Sequence, residues 1–298
     1  MAYIITETDA YDQEAMRAAS PVKVAGYRVK EVYYGDRVDI EIYPYWGKHP
    51  GRSCRRVGTS RKGQKNQNAK DSRKMFVRLL MHNFGRGDLH VACTYSGEPP
   101  DEKEALKDAQ CFIRRWQAAR KRAGLKDGKY MRVIEGAHEG SKRTHVHFVL
   151  EDGVDRDTVE RLWDKGYCNA DRIRAIDGSI KGLAEYLAKD PKGRKRWGAS
   201  RGLKRPEVKI YDRKLTRKRV RQMAECEADF ADTLKKLYPG YRAAEINPPK
   251  YSEYVTGVYL SADMRRAEYS NPQTFAYLGA QKAPPFQALS TFKRQKFA

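Results

Sequence analysis

Apolar residues recur along this chain at two spacings, every second position and every third or fourth, and the switches between them give an element order. Tyr27 to Tyr45 alternates around Val32, Tyr34, Val38, Ile40 and Ile42, with Gly35-Asp36 between, which predicts a β-hairpin. Residues 67–84 predict a basic amphipathic helix whose apolar side is Met75, Phe76, Leu79, Leu80 and Met81. Leu89 to Tyr95 predicts a strand. Pro99-Pro100-Asp101 then opens a long helix to about Gly124, with Ala105, Ala109, Phe112, Ile113 and Trp116 at helical spacing. Strands follow at Tyr130–Glu135 and Thr144–Leu150, joined by a polar turn over 136–143. Asp155 can cap a short helix through Trp163, and Tyr167–Ile173 predicts another strand. Ser179 can cap a last helix, which must stop near Lys189-Asp190 because Pro191 follows.

From residue 89 the order is β-α-β-β-α-β-α. Its first six elements match the split βαβ arrangement, so the expected fold class is α+β: a ferredoxin-like (RRM-like) antiparallel sheet with helices on one face and the other face free to carry a site. Three divisions are expected: 1–66, a loose arm, the hairpin and a basic loop; 67–205, the central domain; and 206–298, a basic extension. In the extension, residues 220–237 read as a helix. Tyr-Pro-Gly at 238–240, Asn-Pro-Pro at 247–249 and Ala-Pro-Pro at 283–285 read as irregular chain.

The informative stretch is Thr144 to Leu150. On a strand, His145 and His147 fall on one face while Val146, Phe148 and Leu150 fall on the other, toward a core. Two imidazoles spaced in this way can converge on one divalent metal. Glu135 ends the preceding strand, and if the hairpin forms its carboxylate can complete a His-His-carboxylate set that suits Mn²⁺ and admits Mg²⁺. His138 lies in the polar turn and reads as an exposed loop residue.

On the helix from Ser179, residues Ile180, Leu183, Ala184 and Leu187 make the buried stripe, Tyr186 stands at its edge, and Lys189 is its i,i+3 neighbour. A neutral phenol is a poor nucleophile, with a pKa of about 10. It can attack a phosphodiester when a metal withdraws charge from the phosphoryl oxygens, and Lys189 would add fixed positive charge beside the developing phenolate. Glu185 and Asp190 flank the tyrosine, where either could activate water or receive a proton.

Charge points to the substrate. Sixty Lys and Arg against 38 Asp and Glu give +22 and a pI near 9.7, the footprint of a polyanion partner. Arg52 to Lys65 forms a basic loop, and the densest cationic run follows the tyrosine helix: Arg194, Lys195, Arg196, Arg201, Lys204 and Arg205, continuing to Arg219. There it can track a phosphate backbone. The five cysteines are scattered without a Cys-x-x-Cys pair, which argues against a disulfide framework or zinc knuckle and fits a reducing cytoplasm. The polar, acidic start is no signal peptide, and no apolar run is long enough for a transmembrane helix.

His145-Val146-His147 followed by Tyr186-x-x-Lys189 resembles the HUH endonucleases, in particular rolling-circle replication initiators of the phage and plasmid group that includes the filamentous-phage gene II type. Supporting stretches are Asn68-Ala69-Lys70 through Asn83-Phe84, Cys93-Thr94-Tyr95, Val133-Ile134-Glu135 and Tyr186-Leu187-Ala188-Lys189-Asp190, so that the likeness covers about residues 67–205. It implies nicking of single-stranded DNA at a replication origin. Tyr186 would be joined to the 5′-phosphate, leaving a 3′-OH for a host polymerase. His145, His147 and Glu135 would hold the metal, and Lys189 would assist. The implied setting is the cytoplasm of a bacterial host, with a separate host helicase, since no ATPase signature is present. Some relatives carry two tyrosines on this helix; here there is only Tyr186. A transposase or relaxase strand transferase and a non-catalytic nucleic-acid-binding sheet are the other readings. Relaxases generally place the tyrosine before the histidines, and a binding sheet exposes aromatics where this one exposes histidines.

Overall fold

The structure is a computed structural model that describes residues 24–45, 62–136, 143–175, 179–189, 197–251 and 257–267. Within them the chain forms two antiparallel five-stranded sheets and six helices. No helix among the described residues is long and apolar enough to cross a membrane.

The central sheet contains β3 (Leu89–Thr94), β4 (Tyr130–Glu135), β5 (His145–Leu150), β6 (Cys168–Arg172) and β7 (Trp197–Ala199), in the order β6-β3-β5-β4-β7. Without β7 this is the strand order of the expected ferredoxin-like unit. Helix α2 (Glu102–Arg122) crosses from β3 to β4, and α3 (Arg156–Arg161) from β5 to β6. Asp101 starts α2 by accepting from the Glu104 N–H at 2.7 Å, and Asp155 starts α3 by accepting from Thr158 N–H at 2.9 Å. Acids occupy the first turn of α2 and Arg120, Lys121 and Arg122 its last, in line with the helix dipole. Its stripe of Ala105, Ala109, Phe112, Ile113 and Trp116 is buried against Val91, Cys93, Val146, Phe148 and Leu150. Phe148 is fully buried, with its ring 4.5 Å from that of Phe112. Truncation to Phe148→Ala is expected to cost ~3–5 kcal/mol, read as a lowered urea midpoint at unchanged slope.

The other face of this sheet is not bare. Helices α1 (Lys62–Asn83) and α4 (Lys181–Leu187) cover part of it, packing Phe76, Leu80, Ala184 and Leu187 on Met131, Val133 and Val149. This departs from helices on one face alone, and it carries the Tyr186 helix to the histidine side. Ser179 contributes differently from the expected cap. Its Oγ accepts from Lys181 N–H at 3.2 Å, while the capping position is Ile180, which makes no side-chain bond.

The chain ends depart further from expectation. The hairpin β1 (Gly26–Tyr34) and β2 (Arg37–Tyr45) forms, but it is the middle of a second sheet. That sheet is completed by β8 (Glu207–Tyr211), β9 (Tyr241–Tyr251) and β10 (Val258–Arg266), in the order β8-β1-β2-β10-β9. Residues 241–251 and 258–266 are therefore strands, not irregular chain. Pro248 and Pro249 fit because β9 is an edge strand, where a missing N–H donor costs no ladder bond. The helix expected over 220–237 is two helices, α5 (Arg217–Glu225) and α6 (Glu227–Leu237), broken at Cys226, whose backbone is extended at φ −137 and ψ 118. They bury Val220, Met223, Phe230 and Leu234 on Val29, Ile40 and Ile42.

The two sheets are joined by polar contacts from the opposite face of the second sheet. Arg78 of α1 pairs with Asp39 at 2.7 Å and Glu41 at 3.2 Å, and Lys74 pairs with Glu41 at 2.7 Å. Gly35 makes the hairpin turn with φ +55, and an added Cβ there would sit 3.1 Å from the Met81 carbonyl oxygen. Its N–H donates to His82 Nδ1 at 2.6 Å. A Gly35→Val substitution is thus expected to strain the turn and loosen α1 from the hairpin together, read as a lower melting temperature with faster amide exchange over 79–83.

Candidate active site

Strand parity assigns the site residues to one face. In β5, Val146, Phe148 and Leu150 enter the α2 core, so His145 and His147 face the α4 side. Glu135 of β4 stands opposite His145 in the ladder, and its Oε2 lies 3.9 Å from His147 Nε2. The His145 and His147 rings are nearly parallel, with centroids 6.5 Å apart. Tyr186 comes down from α4 with its ring 6.3 Å from that of His147 at 87°, an edge-to-face contact. It remains 45% exposed, open to a substrate. Lys189 Nζ lies 4.0 Å from the centroid of the Tyr186 ring, a cation–π contact that holds a positive charge beside the phenol.

A residue the sequence reading passed over joins this set. His90 of β3 stacks on His147 with centroids 5.4 Å apart and planes 11° from parallel, and its Nε2 is 3.3 Å from His147 Nδ1. The signal was present in the strand: Leu89, Val91 and Cys93 face the core, so His90 must face the other way. What was missing was knowledge that β3 pairs with β5. With His147 Nδ1–H donating to His90, the Nε2 lone pair of His147 is free on the side of Glu135.

His147 is buried, and burial, helped by His90, His145 and Lys189, lowers its pKa from 6.5 to about 4. It therefore presents a neutral imidazole at neutral pH, the form that donates a lone pair. The sign of its linkage follows. Between pH 6.5 and 4 the unfolded chain binds a proton here that the folded chain does not, so stability falls as pH falls through that window. Burial lowers His90 and His82 in the same direction. Urea midpoints of wild type and His147→Gln are expected to converge between pH 6.5 and 4 as the wild type loses stability faster.

Among the described residues, no three His, Cys, Asp or Glu side chains are drawn together tightly enough to chelate an ion as they stand. The donor chemistry nevertheless fits one. Two ligands about 2.1 Å from a shared ion stand ~3–4 Å apart, which the His147 and Glu135 pair satisfies. His145 and Glu135 are only partly buried and are free to turn inward.

Other candidates are placed elsewhere. Glu185 is exposed and lies 3.8 Å from Lys181, on the side of the second sheet. Arg201, Lys204 and Arg205 are exposed beyond β7, and the Lys204 main chain is fixed by Asn83 through bonds of 2.7 and 2.9 Å. His138, Asp190, Arg194, Lys195, Arg196 and the Arg52–Arg61 loop lie outside the described residues. The continuation of the basic run has internal duties. Lys214 pairs with the buried Glu31, Arg217 donates to the Ala25 carbonyl at 2.8 Å, and Arg219 Nε donates to Thr233 at 2.9 Å. Burial would raise the Glu31 pKa, but bonds from Lys214, Tyr238 and Tyr33 bring it below its usual value.

No curated protein and no solved structure matches the chain. A family model does match it: residues 88–191, from the start of β3 past the helix that carries Tyr186, are similar to the replication-associated protein family named after ORF2 and the gene 2 protein.

Proposed function

We propose that the chain is a replication initiator that nicks single-stranded DNA by tyrosine transesterification. The observation that carries this reading is the convergence of the Tyr186 ring on the His147, His145 and Glu135 cluster from a different element. Tyr186 Oη attacks the scissile phosphorus and forms a P–O bond to the 5′-side phosphate. The bond to the 3′ oxygen breaks, and that oxygen leaves as a 3′-OH for extension. The energy of the cleaved phosphodiester is kept in the phosphotyrosine, which a later 3′-OH reverses. Lys189 stabilises the phenolate as its proton departs. His145, His147 and Glu135 would hold a Mn²⁺ or Mg²⁺ ion, which supplies charge withdrawal from the phosphoryl oxygens. The exposed Arg201, Lys204 and Arg205, with Arg194, Lys195 and Arg196, would contact backbone phosphates. A host polymerase and helicase would then extend and unwind. The similarity to a replication-associated family supports this use of the chemistry over transposition or conjugation.

The direct test is to incubate the protein with Mn²⁺ and labelled single strands and map any peptide–DNA adduct. An adduct on residues 181–189 supports the reading, and an adduct mapping to another residue refutes it. His90 acts through His147 in this scheme. His90→Ala is expected to weaken Mn²⁺ binding ~10–100-fold, read by electron paramagnetic resonance titration of free Mn²⁺, without removing the tyrosine.

A further inference from the structure

The joint between the sheets is charged on its inside and cationic on its outside. Arg37 of β2 donates to Asp263 of β10 at 2.6 Å and to Ser179 at 3.1 Å. Lys181, in the first turn of α4, reaches Glu245 at 2.6 Å and Asp263 at 3.0 Å. At the surface of this joint lies a cleft of about 630 Å³ whose charged lining is Arg37, Arg174, Lys181, Arg242 and Arg265, with no acid among its lining residues. Arg37, Lys181 and Arg265 are tied to acids beneath, namely Asp263, Glu245 and Asp36. Arg174 and Arg242 have no ion pair among the described residues. One further donor is unspent: Arg37 Nε is buried without a partner, although the residue lines the cleft. A buried donor left unmade costs about 1–3 kcal/mol, which an acceptor in the cleft would relieve.

Arg174 also lines a second cleft of about 950 Å³, with Arg86, Arg156 and Arg172 and the single acid Asp171. Arg156 and Arg172 are neutralised by Asp171, Glu160 and Asp152, whereas Arg86 has no ion pair among the described residues. The two clefts meet at Arg174 and make one groove around the β6 edge of the central sheet.

We propose that this groove is a second DNA-binding site, which seats phosphodiester backbone away from the scissile phosphate on Arg86, Arg174 and Arg242. Spaced guanidinium groups without acid partners match a polyanion whose charges repeat, and the planar fork suits phosphate oxygens. The groove is too open to enclose a small phosphate. One wall is the first turn of α4, the helix that carries Tyr186, so a strand held there is also held near the nucleophile. The proposal rests on the DNA-nicking reading for its ligand, but it concerns affinity and not cleavage.

The test compares wild type with Arg174→Gln/Arg242→Gln. Affinity for a long labelled single strand is measured by anisotropy across ~50–200 mM NaCl. Each lost phosphate contact is expected to flatten the log–log salt slope by about 0.7, so the pair should flatten it by roughly 1.4. Affinity at the low-salt end should drop about tenfold, while Arg174→Lys/Arg242→Lys should keep most of the slope. Adduct formation with an oligonucleotide of a few nucleotides around the scissile step should be unchanged. A wild-type slope and affinity in the Gln pair would overturn the groove and leave the tyrosine chemistry standing. A flattened slope in a protein that forms no adduct with any strand would support the groove and overturn the nicking reading.

Discussion

Tyr186→Phe is expected to eliminate both the covalent protein–DNA adduct and strand cleavage, by about 10³-fold or more, the scale on which a missing nucleophile is felt. The change removes one oxygen. The ring and its edge-to-face contact with His147 remain, as does the cation–π contact from Lys189, because both are made with the ring and not the hydroxyl. Tyr186 is 45% exposed, so removing its hydroxyl leaves no buried polar group unmatched. Single-strand affinity and melting temperature should therefore match wild type, so the loss is chemical. Gel shift of a 5′-blocked strand and denaturing gels for the adduct read the two quantities separately. Residual cleavage with a mapped adduct on another tyrosine would sink the assignment. Tyr167, at 69% exposed, is the first place to look.

His147→Ala is expected to lose metal-supported cleavage almost as completely. An ion that polarises the phosphoryl group supplies several kcal/mol, which is ~10³-fold or more in rate. His147 is the centre of its cluster: His90 stacks on one side, His145 on the other, Glu135 faces its Nε2, and Tyr186 meets its ring. Its loss removes a donor and the surface on which the tyrosine rests. Activity of the variant should no longer respond to chelator, and Mn²⁺ binding should weaken in parallel. Cleavage that persists at the wild-type rate in the presence of chelator would favour the reading of a sheet that binds nucleic acid by other means.

Much of the central sheet was legible in the chain because its signals are local. A strand shows its two faces in a few residues, so His145 and His147 could be assigned opposite to Val146, Phe148 and Leu150 before any contact was known. The Asp101 and Asp155 starts and the α2 stripe were legible for the same reason. His90 was not, since its face acquires meaning only when β3 is set beside β5. The second sheet was illegible as a unit. Its inner strands β1 and β2 pair with β8 and β10, more than 170 residues later, and no local period announces such a pairing. The cationic run also misled in part. Lys214, Arg217 and Arg219 look like phosphate ligands until Glu31, Ala25 and Thr233 are seen to need them.

By itself the sequence determined the element order of residues 89–187, the core face of each strand, the pair of imidazoles on one face and the net positive charge, because these follow from period-two and period-3.6 geometry and from counting. Tertiary structure alone decided that α4 folds back over the histidine face and brings Tyr186 against His147. It also decided that the two chain ends close into one sheet, and that unpaired arginines from β6 and β9 border one groove. Those are encounters between segments far apart in the chain. They are fixed by which surfaces can be buried or charge-matched together, and no window of neighbouring residues contains that information.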